Sequence, residues 1–202
     1  MRRQILRVLA VSALALMGTW SGWARADPLP EDCPCQRRDL SRSYLGAGIV
    51  STTVLHRGEA SFLQGGNGFR LVAGEWISRH FALELNWQRS YHAREPEAWR
   101  RGAEMLRLNT LALDLKIYLS SQGWVQTYLV GGIGASLLGD AKSVSLGGPG
   151  FQGGLGIDFW FTPWLRMGLQ AQYRGATGID HVLDRRLYLS LATGLIELAV
   201  RL

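Results

Sequence analysis

No stretch of eighteen or more consecutive apolar residues occurs in the sequence, so the chain offers no segment suited to crossing a bilayer as a helix. Cysteine is nearly missing too. Cys33 and Cys35 are the only two, and with Pro34 alone between them the ring is too small for a relaxed disulfide. No two further ligands lie nearby to complete a metal site, so thiols that oxidise, pair between chains or stay idle are expected. His-Glu-x-x-His, Gly-x-Ser-x-Gly and calcium-loop patterns are also missing, which removes the ordinary metal and hydrolase signatures. No cofactor and no metal are expected. No Leu-rich box directly precedes Cys33, so a lipoprotein anchor is not indicated.

A basic stripe is lacking as well, despite a formal charge of +6. Much of that charge sits in the first segment, where MRRQILR precedes the short apolar core VLAVSALALMGTW and Ala24-Arg25-Ala26 supplies the small residues of a cleavage site. Residues 1–26 therefore read as an export signal, with the mature chain starting at Asp27. Taking Arg2, Arg3, Arg7 and Arg25 from the 22 basic residues leaves 18 against 16 acidic ones, a net of +2. No run of Lys and Arg with interleaved aromatics remains, and nucleic acid is not an expected partner. Residues 27–43, with Pro28, Pro30, Pro34 and many charges, suit an irregular periplasmic tail.

What is present is a period of two. In 81–91 (FALELNWQRSY), Phe81, Leu83, Leu85, Trp87 and Tyr91 share one face of an extended strand, and Ala82, Glu84, Asn86, Gln88 and Ser90 share the other. Only Arg89 interrupts the apolar face. Eleven residues exceed the usual globular strand and match a tilted strand crossing a bilayer. The same pattern is expected over 105–119, 124–138, 151–161, 165–174 and 186–202, with weaker strands at 44–52 and 67–77. In 105–119, for example, Leu111, Leu113, Leu115, Ile117 and Leu119 oppose Thr110, Ala112, Asp114, Lys116 and Tyr118.

Eight strands follow, and their connections set the topology. Those at 77–80, 120–123 and 162–163 are tight, whereas 53–66, 92–103, 139–150 and 175–185 are long, so tight and long alternate strictly. An all-β, eight-stranded antiparallel up-and-down transmembrane β-barrel over 44–202 has this layout, with both ends on the short-turn, periplasmic side. A soluble periplasmic, lipocalin-like carrier would instead turn the apolar face inward. Large Leu, Ile and Phe side chains on one face, glycines and mixed charges on the other, and aromatics at strand ends favour lipid.

These residues, above all GFRLVAGEWISRHFALELNW (68–87), GGLGIDFWFTPWLRMGLQAQYR (153–174) and the alternating C-terminal strand, resemble the OmpA-like and OmpX-like eight-stranded outer-membrane barrels. The resemblance implies a monomer in the bacterial outer membrane, surrounded by outer-membrane lipid and lipopolysaccharide. It also implies insertion by the barrel assembly machinery, for which such barrels usually present a C-terminal aromatic residue; this chain ends in Leu202. A non-enzymatic role, structural or in surface interaction through the outer loops, is the expectation.

Three sets of residues are candidates for function. Glu84, Asp114, Lys116, Asp158, Arg166 and Arg174 all project from the inward face, and three acids are expected to pair with three bases because an isolated buried ion is costly. Ser90 and His92, two apart on that face, could form a nucleophile and base with Glu95 or Glu97 as orienting carboxylate, the arrangement of an acyl hydrolase acting on lipid A. Arg94, Trp99, Arg100 and Arg101 make the second outer loop cationic and aromatic, suited to lipopolysaccharide phosphates or a host surface. By contrast, Gly131-Gly132-Ile133-Gly134 and Gly153-Gly154-Leu155-Gly156 lie inside strands without a following Lys-Ser or helix, and read as relief of crowding in a narrow barrel. His56, His80 and His181 read as solvated turn and loop residues.

Overall fold

The computed structural model describes residues 43–55, 63–94, 105–120, 123–139, 144–180 and 185–202. The signal segment, the tail up to residue 42 and both cysteines lie outside them, while Ser43, expected as the tail's last residue, opens the first strand. Strands run β1 Ser43–Val54, β2 Leu63–Trp76, β3 Phe81–Arg94, β4 Leu106–Tyr118, β5 Val125–Gly139, β6 Val144–Trp160, β7 Leu165–Asp180 and β8 Arg185–Arg201. Each pairs antiparallel with the next, and β8 returns to β1, closing the sheet. Leu202 N–H donates to Ser43 O at 3.0 Å and Arg201 N–H to Trp164 O at 2.8 Å, so the barrel's two ends meet beside the 161–164 turn. Closure leaves no unpaired edge, the condition for placing strands in hydrocarbon.

β4 shows why the strands face as they do. Leu106, Leu108, Thr110, Ala112, Asp114, Lys116 and Tyr118 are buried, and the alternate Leu111, Leu113, Leu115 and Ile117 are exposed. The rule holds around the ring: Ile49 is 66% exposed and Ile133 71%, while Glu84, Asp114 and Asp158 are 0% exposed. Apolar side chains outside and charges inside reverse the arrangement a water-soluble carrier needs, so the lipocalin-like alternative is not met.

The tight turns repeat one device. Ile77 and Ser78 N–H both donate to Phe81 O (2.9 and 3.1 Å), and Phe161 and Thr162 N–H both donate to Leu165 O (3.1 and 3.4 Å). A side-chain oxygen then takes a second donor: Ser78 Oγ from His80 N–H at 3.2 Å, Thr162 Oγ1 from Leu165 N–H at 3.0 Å. Between β4 and β5, Gly123 stands at φ 96°, a value open to glycine.

The outer ends differ from expectation. Strands continue further, leaving the intervals 55–62, 95–105, 140–143 and 181–184, so the last two connections are short. The Gly147-Gly148-Pro149-Gly150 run reads as loop by composition, yet it pairs with β5 through Ala135↔Pro149 and Leu137↔Gly147. Pro149 sits where β6–β7 pairing skips from Gly147↔Ile179 to Gly150↔Ala176, so its missing N–H breaks no bond of that ladder.

Candidate functional site

The barrel interior is built in layers. At the short-turn end, Tyr44, Trp76, Tyr118, Tyr128 and Trp160 turn inward with Ala82, Val130 and Ala199. Trp76 stacks near Tyr118 with centroids 4.4 Å apart and lies 6.4 Å from both Tyr44 and Trp160. Arg201 caps the group, 5.2 Å from the Trp160 ring. Two cross-strand pairs explain how such large rings fit: Tyr44 faces Gly74 and Tyr128 faces Gly156. A Cβ at either glycine would collide with the phenol ring. The phenol hydroxyls then reach the next layer, Tyr44 donating to Glu84 Oε1 and Tyr118 to Asp158 Oδ2, each at 2.7 Å.

That layer is an ion network centred on Glu84. Lys116 Nζ (2.7 Å), Arg70 Nη2 (3.0 Å) and Arg166 Nη2 (3.2 Å) all reach its carboxylate. Arg166 also pairs with Asp158 and, at 3.3 Å, with Glu197. Arg70 approaches Asp114 at 3.5 Å and Glu197 at 3.7 Å. Asp114 accepts from Asn86 Nδ2 at 2.8 Å and from Gln152. Lys116 further stands 4.4 Å over the Tyr128 ring and Arg166 4.5 Å over Tyr44, so cations are held by rings as well as carboxylates. Glu84, Asp114, Lys116, Asp158 and Arg166 are thus brought together.

Two members, Arg70 and Glu197, escaped the sequence reading. The tight turn at 77–80 carried a signal for the first: it pairs even positions of β2 with even positions of β3, Gly74 with Glu84 and Arg70 with Gln88, which turns Arg70 inward. Glu197 was legible as the charge alternating with Ile196 and Leu198.

Arg174 corrects the expected pairing. It is buried, but its guanidinium donates to Gln172 Oε1 at 3.1 Å, and among the described residues no carboxylate lies within ion-pair distance of it. It lines a cavity of about 20 Å³ with Thr110, Ser136, Gln152 and Leu191, room for one water beside its Nε and Nη1. The reason is place: Arg174 pairs across to Gln152 and Leu191, beyond the carboxylate layer. Arg174→Met is therefore expected to cost only about 0.5–1.5 kcal/mol, the scale of one hydrogen bond. Urea unfolding in lipid vesicles checks this against the several kcal/mol that a stranded carboxylate would lose.

Toward the long-loop end, Leu106, Leu108, Leu138, Leu189 and Leu191 form an apolar layer with Val54 and Ala176. Ser90 and His92 lie within this end, opposite Leu108 and Leu106. Ser90 Oγ is 2.9 Å from His92 Nε2, and His92 Nδ1 is 2.9 Å from Gln64 O. A carbonyl only accepts, so Nδ1 carries a proton; in the neutral ring Nε2 then accepts from the Ser90 hydroxyl. Gly66 and Gly68, facing His92 and Ser90, make room for both side chains. The orienting role assigned to Glu95 or Glu97 falls to a backbone carbonyl; both glutamates lie outside the described residues. Both residues are fully buried, each 0% exposed.

Of the cationic loop, Trp99, Arg100 and Arg101 lie outside the described residues, and Arg94 is placed only by its backbone, ending β3 opposite Leu63.

A closed eight-stranded antiparallel barrel with an apolar exterior and an ionic interior is the fold of the outer-membrane β-barrels, and this chain has that fold. It is similar to neisserial surface protein A (14% identity, TM-score 0.61, covering 82% of this chain and 100% of that one). It is similar too to the outer membrane protein OprG of Pseudomonas aeruginosa (12%, TM-score 0.56, 81% and 97%). A third likeness is to the attachment invasion locus protein Ail of Yersinia pestis, in complex with the heparin analogue sucrose octasulfate (12%, TM-score 0.51, 79% and 97%). No protein-family profile and no curated protein sequence matches the chain.

Proposed function

We propose that the protein is a non-enzymatic, monomeric outer-membrane barrel that acts structurally or in surface interaction, with lipopolysaccharide and surrounding lipid as its partners. The observation that carries this reading is the filled interior: among the described residues, aromatic, ionic and leucine layers occupy the lumen in turn, and Ser90 and His92 are buried. Burial of Ser90 and His92 argues against a substrate carbonyl reaching Ser90 Oγ. Fold alone does not decide the matter, because barrels of one architecture host unrelated functions. The cationic and aromatic loop residues Arg94, Trp99, Arg100 and Arg101 would add lipopolysaccharide or host contacts.

A second reading, an acyl hydrolase acting on lipid A, draws on the Ser90–His92–Gln64 O alignment, which has the order of nucleophile, base and orienting group. One experiment separates the two. Wild type, Ser90→Ala and His92→Ala forms are each produced in a Gram-negative host, and lipid A is analysed by mass spectrometry. Identical acylation in all three is expected. Loss of an acyl chain with wild type but not with either variant would make the protein a hydrolase.

A further inference from the structure

The lipid-facing wall is almost free of charge, and its exceptions are grouped. Among the described side chains, outward positions of the eight strands carry only Glu75, toward the short-turn end, and Arg89 and Arg107, toward the other. The two arginines belong to neighbouring strands. The register pairs Trp87 with Leu111, Arg89 with Asn109 and Tyr91 with Arg107, so both strands change from aliphatic to polar at the same rung. Among the described side chains the opposite wall at this end presents Phe151, Tyr173 and Tyr188, none of them charged.

Arg89 is held in place rather than left to wave. Its Nε donates to Asn109 Oδ1 at 2.7 Å, and its guanidinium lies 5.1 Å from the centre of the Trp87 ring, itself set edge-on to Phe69 at 5.4 Å. Both terminal amino groups of the fork stay available, and among the described residues no carboxylate pairs with Arg89 or with the exposed Arg107. A guanidinium pre-set in one plane with its Nη1–Nη2 edge free matches a phosphate oxygen pair.

Depth agrees with this. Phe81 pairs with Ile117, and from that rung, at about 3.3 Å per residue and a tilt near 45°, Arg89 stands roughly 19 Å up and Arg107 roughly 23 Å up. An apolar band of about 25 Å brings both to its outer edge. An arginine there meets the level of lipid phosphates, whereas lower down it would face acyl chains alone.

We propose that Trp87, Arg89 and Tyr91 of β3 with Arg107 and Asn109 of β4 form a binding site for the phosphorylated sugar headgroup of an outer-leaflet glycolipid. Its acyl chains would descend along Leu85, Leu111 and Leu113. The site rests on the outer-membrane reading above and moves the main lipopolysaccharide contact from the second loop to the barrel wall.

The test uses the full mature chain in phosphatidylcholine nanodiscs doped with bisphosphorylated lipid A, with retained lipid A read by native mass spectrometry. Arg89→Gln with Arg107→Gln is expected to lower retention about tenfold or more, the effect of losing one to two charge-assisted contacts. Arg79→Gln, in a turn at the other end, should retain the wild-type level. Dephosphorylated lipid A should bind wild type as poorly as bisphosphorylated lipid A binds the double variant. A heat-dependent gel shift shows that each variant is folded. A folded double variant with undiminished retention, or equal retention of dephosphorylated lipid A, overturns the site. If Arg100→Gln with Arg101→Gln abolishes retention while the wall variant does not, the wall is wrong and lipopolysaccharide remains a partner through the loop. If wild type retains none, the site and that partnership both fall.

Discussion

Glu84→Gln is expected to lower the unfolding free energy of the barrel by about 3–5 kcal/mol, the usual cost of stranding a buried charge. Glu84 takes a proton donor from Tyr44 and three cations at 2.7–3.2 Å. The cations do not suffer equally. Arg166 keeps Asp158 and Glu197, and Arg70 keeps Asp114 and Glu197, but Lys116 has no second carboxylate within 4.0 Å among the described residues and retains chiefly the Tyr128 ring. The lysine should therefore account for most of the loss. Lys116→Met added to Glu84→Gln should restore a large part of it, a non-additivity that only direct coupling produces. Glu197→Gln, whose contacts are longer, should cost less. Urea titrations in vesicles of one lipid provide the measurement; a loss for Glu84→Gln under about 1 kcal/mol would mean that water screens the network.

Trp76→Ala is the second large effect, expected to cost about 3–5 kcal/mol through the cavity it leaves. Trp76 touches the aromatic layer on three sides, at Tyr44, Tyr118 and Trp160, and these rings cannot collapse into the gap. Tyr44 and Tyr118 are tethered by their hydroxyls to Glu84 and Asp158. The barrel should nevertheless stay closed, because the ion layer and the leucine layer lie beyond the aromatic one. In planar bilayers neither wild type nor Trp76→Ala should give long-lived, uniform conductance steps. Such steps from wild type would reveal a continuous water path and end the filled-interior account; steps from the variant alone would place the seal in the aromatic layer.

A period of two told the strand count and divided each strand into two faces, and the Leu, Ile and Phe of one face against the glycines and mixed charges of the other told which points inward. Glu84, Asp114, Lys116, Asp158 and Arg166 alternate with Leu and Phe along single strands, and side-chain direction in a strand is a local property. The tight turns were equally local: a few residues between two alternating runs leave one way to connect them. Composition misled only where glycine and proline stand for two things, as at 147–150, where a loop-like run continues as strand because β5 pairs with it.

Partners across the lumen were another matter. Arg166 meets Glu84 from 82 residues away, and Arg70 and Glu197 complete the network only because β8 closes on β1. Period tells which face a residue shares, but height in the lumen depends on register accumulated around the whole ring. That is why Arg174, on the right face, lies above the carboxylates, and why Ser90 and His92 are bonded as a catalytic pair would be yet buried. The sequence by itself determined eight strands, their two faces and the ionic character of the interior; closure and register, which no single strand encodes, decided which of those ions meet and which side chains are sealed from solvent.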